Sequence, residues 1–164
     1  MSGFAASYLG RLRARVGAEP LLNIGARLLI EDDAGRFLNI RRADDGKWGL
    51  LSGGMELGES LMDTARREAR EEANADVRDL TPFGLSSDPI VERHVYPNGD
   101  QVQAVCLLIH ARLNPGPLRA NDGEATAFRF VTEAEVDPGT FCKPEYPTFA
   151  HWRAFRDTGQ FQVV

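Results

Sequence analysis

The stretch that most constrains this chain runs from residue 53 to 75, where a glycine-rich loop leads into a segment that carries several carboxylates. Ser60 is a good helix N-cap, and Asp63, three residues later, makes an approximate capping box. Asn74 can adopt the left-handed conformation that ends a helix. The sequence therefore predicts a helix from about Leu61 to Ala73.

The predicted helix gathers acidic side chains on one face. Glu68 lies one turn from both Glu71 and Glu72, and Glu72 falls at the edge of an apolar stripe. The stripe consists of Leu61, Met62, Ala65, Ala69 and Ala73. A carboxylate driven towards a core is costly unless it is paired or binds a cation, and Mg2+ prefers oxygen ligands. Two interpretations stay open, a solvated face of Glu–Arg pairs or a metal site, and the nearby Glu56 and Glu59 favour the metal site.

The same stretch resembles the Nudix box, G-x5-E-x7-R-E-U-x-E-E-x-G-U, in which U is a bulky apolar residue. The matching residues are Gly53, Glu59, Arg67, Glu68, Glu71 and Glu72. A pattern with this many fixed residues is far more specific than a lone glycine motif. The chain departs from it where Asn74 replaces the second glycine, where Ala69 and Ala75 are small, and where Leu51-Ser52 replace the common Pro-Gly.

The resemblance implies a role for each matched residue. Glu71 and Glu72 are the expected main metal ligands, with the Gly53 carbonyl as a further one. Glu68 is expected to be a ligand or the general base, and Arg67 to orient the carboxylates. The implied cofactor is Mg2+, with Mn2+ as a substitute. In this family the metal neutralises a diphosphate and activates the attacking water.

Further site residues are expected outside the box. Glu124 is the best candidate for a general base from a later loop, and its alternative is an ordinary exposed acid. Arg41 and Arg42 precede the box and are expected at the substrate phosphates, unless they are surface arginines paired with nearby aspartates. Tyr96, beside His94, is expected to stack on a base or contact a phosphate, unless the two form a cross-strand pair or a dimer contact.

The implied reaction is hydrolysis of a pyrophosphate bond in a nucleoside diphosphate linked to another group. The substrate candidates are ADP-ribose or another nucleotide sugar, a nucleoside triphosphate, and a dinucleoside polyphosphate or RNA 5′ end. Glu59 is expected to brace the loop–helix junction. The alternative function is a non-catalytic nucleotide or ADP-ribose sensor on the same fold, because fold alone does not separate the two.

Composition limits the class of protein and its partners. The 164 residues suit one domain, with ordinary hydrophobic and charged contents of 43% and 26%. The net charge of −5 argues against nonspecific nucleic-acid binding by the whole surface. No apolar run approaches the ~20 residues of a membrane span, and the N-terminus lacks a signal pattern. A cytoplasmic location is the default expectation.

The order of elements predicts an α/β fold with a mixed sheet between helices. An N-terminal helical extension is expected over residues 1–20 of a single domain covering 1–164. Asn98-Gly99, between two extended runs, predicts a hairpin. The exposed appearance of this extension and of the hairpin makes a homodimer plausible. Strands are predicted at 21–30, 36–41, 77–80 (interrupted by Pro82), 90–96, 101–113 and 126–131, and a closing helix at 145–156. The resemblance implies the Nudix α/β/α sandwich.

Overall fold

The computed structural model describes residues 4–96, 98–121 and 123–164. The strands are β1 Leu21–Glu31, β2 Phe37–Arg42, β3 Trp48–Gly49, β4 Leu51–Gly54, β5 Val77–Ser86, β6 Arg93–Val95, β7 Gln101–Leu113, β8 Ala125–Val131 and β9 Gln162–Val163. The helices are α1 Tyr8–Val16, α2 Leu61–Ala73, α3 Pro89–Glu92 and α4 Thr148–Thr158.

The strands form one mixed sheet around β1 and β7. These two strands pair in parallel from Leu21 opposite Val102 to Glu31 opposite Arg112. The main order is β3-β2-β1-β7-β5-β9, while β4 pairs with β1, β6 with β7 and β8 with β2. β4 and β2 both run antiparallel to β1. The predicted mixed sheet is therefore confirmed.

The sheet has a hydrophobic core on each face, and a helix closes each core. On one face Ala65, Ala69 and Ala73 of α2 are fully buried in a cluster with residues of β1, β2 and β7. On the other face Phe149 of α4 is buried in a cluster with Phe83 and residues of the neighbouring strands. Small side chains on α2 let its backbone approach the sheet closely. The α/β/α sandwich is confirmed by these two layers.

The sequence signals at the ends of α2 act as predicted. Ser60 Oγ accepts from the Asp63 amide at 3.2 Å, and Asp63 Oδ2 accepts from the Ser60 amide at 3.1 Å. Asn74 is left-handed, with φ of 54°, and caps the C-terminus. Fixed ends set the rotation of the helix, and that rotation decides where its carboxylates point.

Three of the predicted elements have other bounds in the structure. β5 continues through Pro82 to Ser86, because register shifts on either side of Pro82 accommodate it in the ladder. The segment before β6 is the short helix α3, which Asp88 caps through the Ile90 amide. α4 begins at Thr148, because Glu145 lies buried in the loop that precedes it.

The N-terminal helix packs on the sheet through an arginine. Arg13 is 9% exposed and donates from Nη2 to the Gln101 carbonyl at the start of β7. The Tyr8 amide donates to Glu56 at 2.7 Å, which joins the start of α1 to the loop after β4. None of the helices in the described ranges is long and apolar enough to cross a membrane.

Candidate active site

Arg67 connects the helix carboxylates with the loop after β4. Its Nε donates to Glu59 at 2.7 Å, and its Nη1 donates to Glu68 at 2.6 Å and to Glu71 at 2.9 Å. Its Nη2 donates to the Gly54 carbonyl at 2.8 Å. A planar guanidinium can hold several oxygens in fixed directions, whereas an ammonium group cannot. One side chain therefore fixes the positions of three carboxylates and the end of β4.

Glu59 occupies the centre of the loop–helix junction. It also accepts from the Glu56 amide at 3.1 Å and from the Thr64 hydroxyl at 3.0 Å. Hydrogen bonds from Arg67 hold the pKa of the Glu59 carboxyl below its ordinary value, although partial burial opposes them. Glu59 is therefore placed to tie the loop to the first turns of α2.

Two glycines allow β4 to lie close to its neighbours. A Cβ at Gly53 would overlap the Glu68 carboxylate, so this carboxylate rests directly on the β4 backbone. A Cβ at Gly25 of β1 would overlap the Gly53 carbonyl oxygen. Backbone and carboxylate oxygens thus meet at the Gly53 position.

Glu72 points to the buried side of α2. It is 4% exposed, and its Oε2 accepts from the Ser52 amide of β4 at 3.2 Å. Glu68 is 9% exposed. The Glu71 side chain, in contrast, keeps 44% of its surface exposed. The placement of Glu72 at the edge of the apolar stripe therefore corresponds to real burial.

Burial changes the chemistry of Glu68. It raises the pKa of this carboxyl to about 7, and the Glu71 and Glu124 carboxylates add to the rise, while Arg67 opposes it. Glu124 itself is an exposed loop residue. A cation beside Glu68 would stabilise its charged form.

The box carboxylates and the neighbouring backbone offer donor types that suit a hard divalent cation. They are the carboxylates of Glu68, Glu71 and Glu72 and the Gly53 carbonyl, all of them oxygens, the ligand type that Mg2+ prefers. Among the described residues, no three Asp, Glu, His or Cys side chains converge so that they could hold a metal ion. Mg2+ commonly keeps several waters and takes few carboxylates, so it does not require such a convergence.

Arg42 lies in a second charged cluster, at the end of β2. It donates to Asp44 at 2.7 Å and 3.1 Å and lies 3.7 Å from a Glu145 oxygen. The Asp44 hydrogen bond and the Glu145 charge raise the pKa of Arg42, against the effect of burial. Arg41 is exposed and donates to the Gly46 carbonyl at 3.2 Å. The neighbouring arginines therefore have different surroundings.

Tyr96 and His94 adjoin the Arg42 cluster. Their rings make an edge-to-face contact with centroids 4.4 Å apart. Burial raises the pKa of Tyr96 and lowers that of His94, and the Arg42 guanidinium lowers the pKa of both. Glu124 also acts on Tyr96. The charges of Arg42 and Glu124 thus both affect the pKa of Tyr96.

A model of the NUDIX domain matches residues 21–152, which is more than half of the chain. The chain belongs to the Nudix family. Its box residues are those that Arg67 and the β4 backbone bring together.

Curated relatives match parts of this Nudix chain. The nucleoside triphosphatase NudI of Escherichia fergusonii is 32% identical over 87 residues, which are 49% of this chain and 61% of that protein. NudI of Escherichia coli O139:H28 is 39% identical over 67 residues, 37% of this chain and 47% of that protein. The chain therefore spans 47% to 61% of the length of these relatives.

Solved structures share the fold over a longer range. An ADP-ribose pyrophosphatase from Streptococcus suis 89-1591 superposes with a TM-score of 0.66 at 21% identity, covering 86% of this chain and 97% of that chain. A UDP-X diphosphatase superposes with a TM-score of 0.67 at 15% identity, covering 95% and 73%. At identities this low, the superpositions show a common fold and nothing further.

Sequence reasoning missed two residues of this Nudix site. Glu145 is a buried carboxylate beside Arg42, and Ser52 contacts both Glu145 and Glu72. The one signal for Glu145 was an acid between a proline and the aromatic residues of the closing helix. Ser52 was noted only as a departure from the family pattern.

Proposed function

We propose that this Nudix protein is a Mg2+-dependent pyrophosphohydrolase, active also with Mn2+, that cleaves a phosphoanhydride in a nucleoside diphosphate linked to another group. The observation that carries the proposal is the Arg67 network, in which one guanidinium holds Glu59, Glu68 and Glu71 against β4. A sensor that only binds nucleotides does not need carboxylates ordered around a backbone carbonyl.

In this proposal Glu71, Glu72 and the Gly53 carbonyl hold the cation, and Glu68 completes the set or acts as the base. The bound cation would neutralise the diphosphate and lower the pKa of the attacking water. Arg67 keeps the carboxylates in position before substrate arrives, so they need little rearrangement during the reaction. Glu124, at the edge of the site, is the second candidate for the base.

Substrate binding is assigned to the cluster beside the box. Arg42, with Arg41 as a second cation, would face the phosphates, and Tyr96 would contact the base or sugar. The name of the NudI relatives favours a nucleoside triphosphate, and the names of the structural neighbours favour nucleotide sugars such as ADP-ribose. The helical extension predicted over residues 1–20, of which residues 1–3 lie outside the described part of the chain, is proposed to belong to one catalytic domain. Dimerisation and a cytoplasmic location stay predictions.

A substrate panel tests the proposal. The purified protein is incubated with nucleoside triphosphates, ADP-ribose, UDP-sugars, a dinucleoside polyphosphate and a triphosphorylated RNA, with Mg2+, with Mn2+ and with EDTA. We expect cation-dependent release of phosphate-containing products, abolished in Glu72→Gln and retained in Glu19→Gln, a matched change at an exposed glutamate. Calorimetric binding of a nucleotide without turnover of any substrate would support the sensor instead. A fully active Glu72→Gln variant would show that Glu72 is not a required metal ligand.

A further inference from the structure

Glu145 is a buried carboxylate that contacts the backbone just before β4, the strand that carries Gly53. It is 3% exposed, and its Oε2 accepts from the Leu50 amide at 2.6 Å. A Cβ at Gly49 would lie 2.5 Å from the same oxygen, so the contact requires glycine there. The carboxylate therefore binds the backbone at the residue that leads into β4.

The other oxygen of Glu145 faces β4 itself. The Ser52 hydroxyl donates to Oε1 at 3.4 Å, and Arg42 Nη1 lies 3.7 Å from Oε1. With an amide, a hydroxyl and a guanidinium around it, the carboxylate is engaged by the protein, which argues against direct contact with a ligand.

Ser52 joins Glu145 to the box. Its hydroxyl contacts Glu145 on one side, and its amide donates to Glu72 Oε2 at 3.2 Å on the other. The next residue along the strand is Gly53, whose carbonyl is a proposed cation ligand. β4 is thus fixed between Glu145, from the loop before α4, and Glu72, from α2.

The loop that carries Glu145 is itself anchored to the sheet. Arg27 lies opposite Ser52 in the β1–β4 pairing and donates to the Pro144 carbonyl at 2.9 Å. Two further bonds of 2.9 Å join Arg27 to the buried Glu92 carboxylate. The residue before Glu145 is therefore bound by a buried arginine that is itself held in an ion pair.

We propose that Glu145 is a positioning residue for the cation site: through Leu50 and Ser52 it holds β4 so that the Gly53 carbonyl and the Glu72 carboxylate are presented together. The inference rests on the proposed function and adds to it a residue far from the box in sequence. Glu145 acts through β4, and contacts neither the cation nor the substrate.

The test compares Glu145→Ala and Glu145→Gln with the wild type. Mn2+ affinity is measured by calorimetry without substrate, and kcat, KM and thermal stability are measured in parallel. Mutating a residue that holds a metal ligand in place typically lowers metal affinity or activity by about 10- to 100-fold. We expect Glu145→Ala to weaken Mn2+ binding and lower kcat by about 10-fold, with KM within about 2-fold. Glu145→Gln should recover most of both, since its carbonyl can still accept from Leu50.

Two additional variants keep the test decisive. Phe155→Leu, in the α4 core, should lower thermal stability without changing Mn2+ affinity, which separates positioning from general destabilisation. Ser52→Ala removes only the hydroxyl link and should weaken Mn2+ binding less than Glu145→Ala does, so it carries the test if Glu145→Ala does not fold.

Three outcomes would overturn the inference. One is an unchanged Mn2+ affinity in every folded Glu145 variant and in Ser52→Ala. Another is an increased KM with unchanged Mn2+ affinity, which would mean that Glu145 takes part in substrate binding. The third is an equal loss of Mn2+ affinity in Phe155→Leu. If the wild type neither binds Mn2+ nor hydrolyses any substrate, the proposed function fails. If the wild type does both, only the role of Glu145 is in question.

Discussion

A single nitrogen of Arg67, Nη1, donates to Glu68 at 2.6 Å and to Glu71 at 2.9 Å. The two carboxylates are next to each other on one helix face, where their like charges repel. Shared donation from one cation offsets this repulsion and keeps the oxygens close. The arrangement makes the box sensitive to the shape of the residue at 67 as well as to its charge.

Arg67→Lys is therefore expected to lower kcat/KM by about 10- to 100-fold, because an ammonium group cannot reach Glu59, Glu68 and the Gly54 carbonyl together. Arg66→Lys is the matched control, since Arg66 is exposed and bonds only within its own helix among the described contacts. Steady-state kinetics on the substrate that the panel identifies gives the measurement. Similar activity in both variants would mean that charge alone suffices at position 67.

Gly25→Ala is expected to destabilise the fold and reduce activity together, because the added methyl group overlaps the Gly53 carbonyl oxygen. Forcing a group into a packed site costs about 1–3 kcal/mol of unfolding free energy. Gly116→Ala is the control, since no atom lies within 4 Å of its Cβ position. Urea unfolding and Mn2+ calorimetry measure the two effects. A Gly25→Ala protein as stable as Gly116→Ala would contradict the close approach.

His110 is expected to make stability fall on acidification. Its ring stacks on Trp152 with centroids 4.0 Å apart, and burial lowers its pKa below the ordinary 6.5, helped by Arg112 and opposed by Glu31. Because the unfolded chain binds the proton more tightly, this stability is present above pH 6.5 and is lost as pH falls towards the folded-state pKa.

The measurement for His110 is the urea unfolding free energy of the wild type and of His110→Phe at about pH 7.5 and pH 5. Phenylalanine keeps a ring against Trp152 but carries no titrating group. The wild type should lose more stability than the variant between the two pH values. Equal losses would assign the acid sensitivity to other groups, including the remaining histidines.

Arg42→Ala is expected to raise KM by about 10-fold with a smaller effect on kcat, if its guanidinium contacts a substrate phosphate. Arg36→Ala is the control, because Arg36 pairs with Asp32 in the β1–β2 turn. Arg41→Ala, measured alongside, shows which of the adjacent arginines carries the effect. An unchanged KM in the Arg41 and Arg42 variants would restrict both to structural pairing with the β2–β3 loop.

Local signals made the fold and α2 predictable. The caps at Ser60 and Asn74 act within a few residues, and the apolar stripe follows from helix geometry alone. The burial of Glu72 followed from the same periodicity. Each of these features depends on a short stretch of sequence, so that stretch alone is sufficient to predict it.

Contacts between distant segments were not predictable in this way. Glu145 binds the Leu50 amide across 95 positions, and Arg27 reaches Pro144 across 117. Arg13 is buried, and its guanidinium reaches the carbonyl of Gln101, 88 positions away. A buried charge looks like a surface charge in sequence, because only the folded chain supplies its partner.

The parallel pairing of β1 with β7 has a consequence for synthesis of the chain. The two strands are separated by the whole box, and β4, which carries Gly53, rests on β1. Long-range parallel pairing forms late, because a large loop must close before its contacts form. On the ribosome, α2 can therefore be complete while the strands around it are not. The proposed cation site is complete only after the segment with Glu145 has emerged.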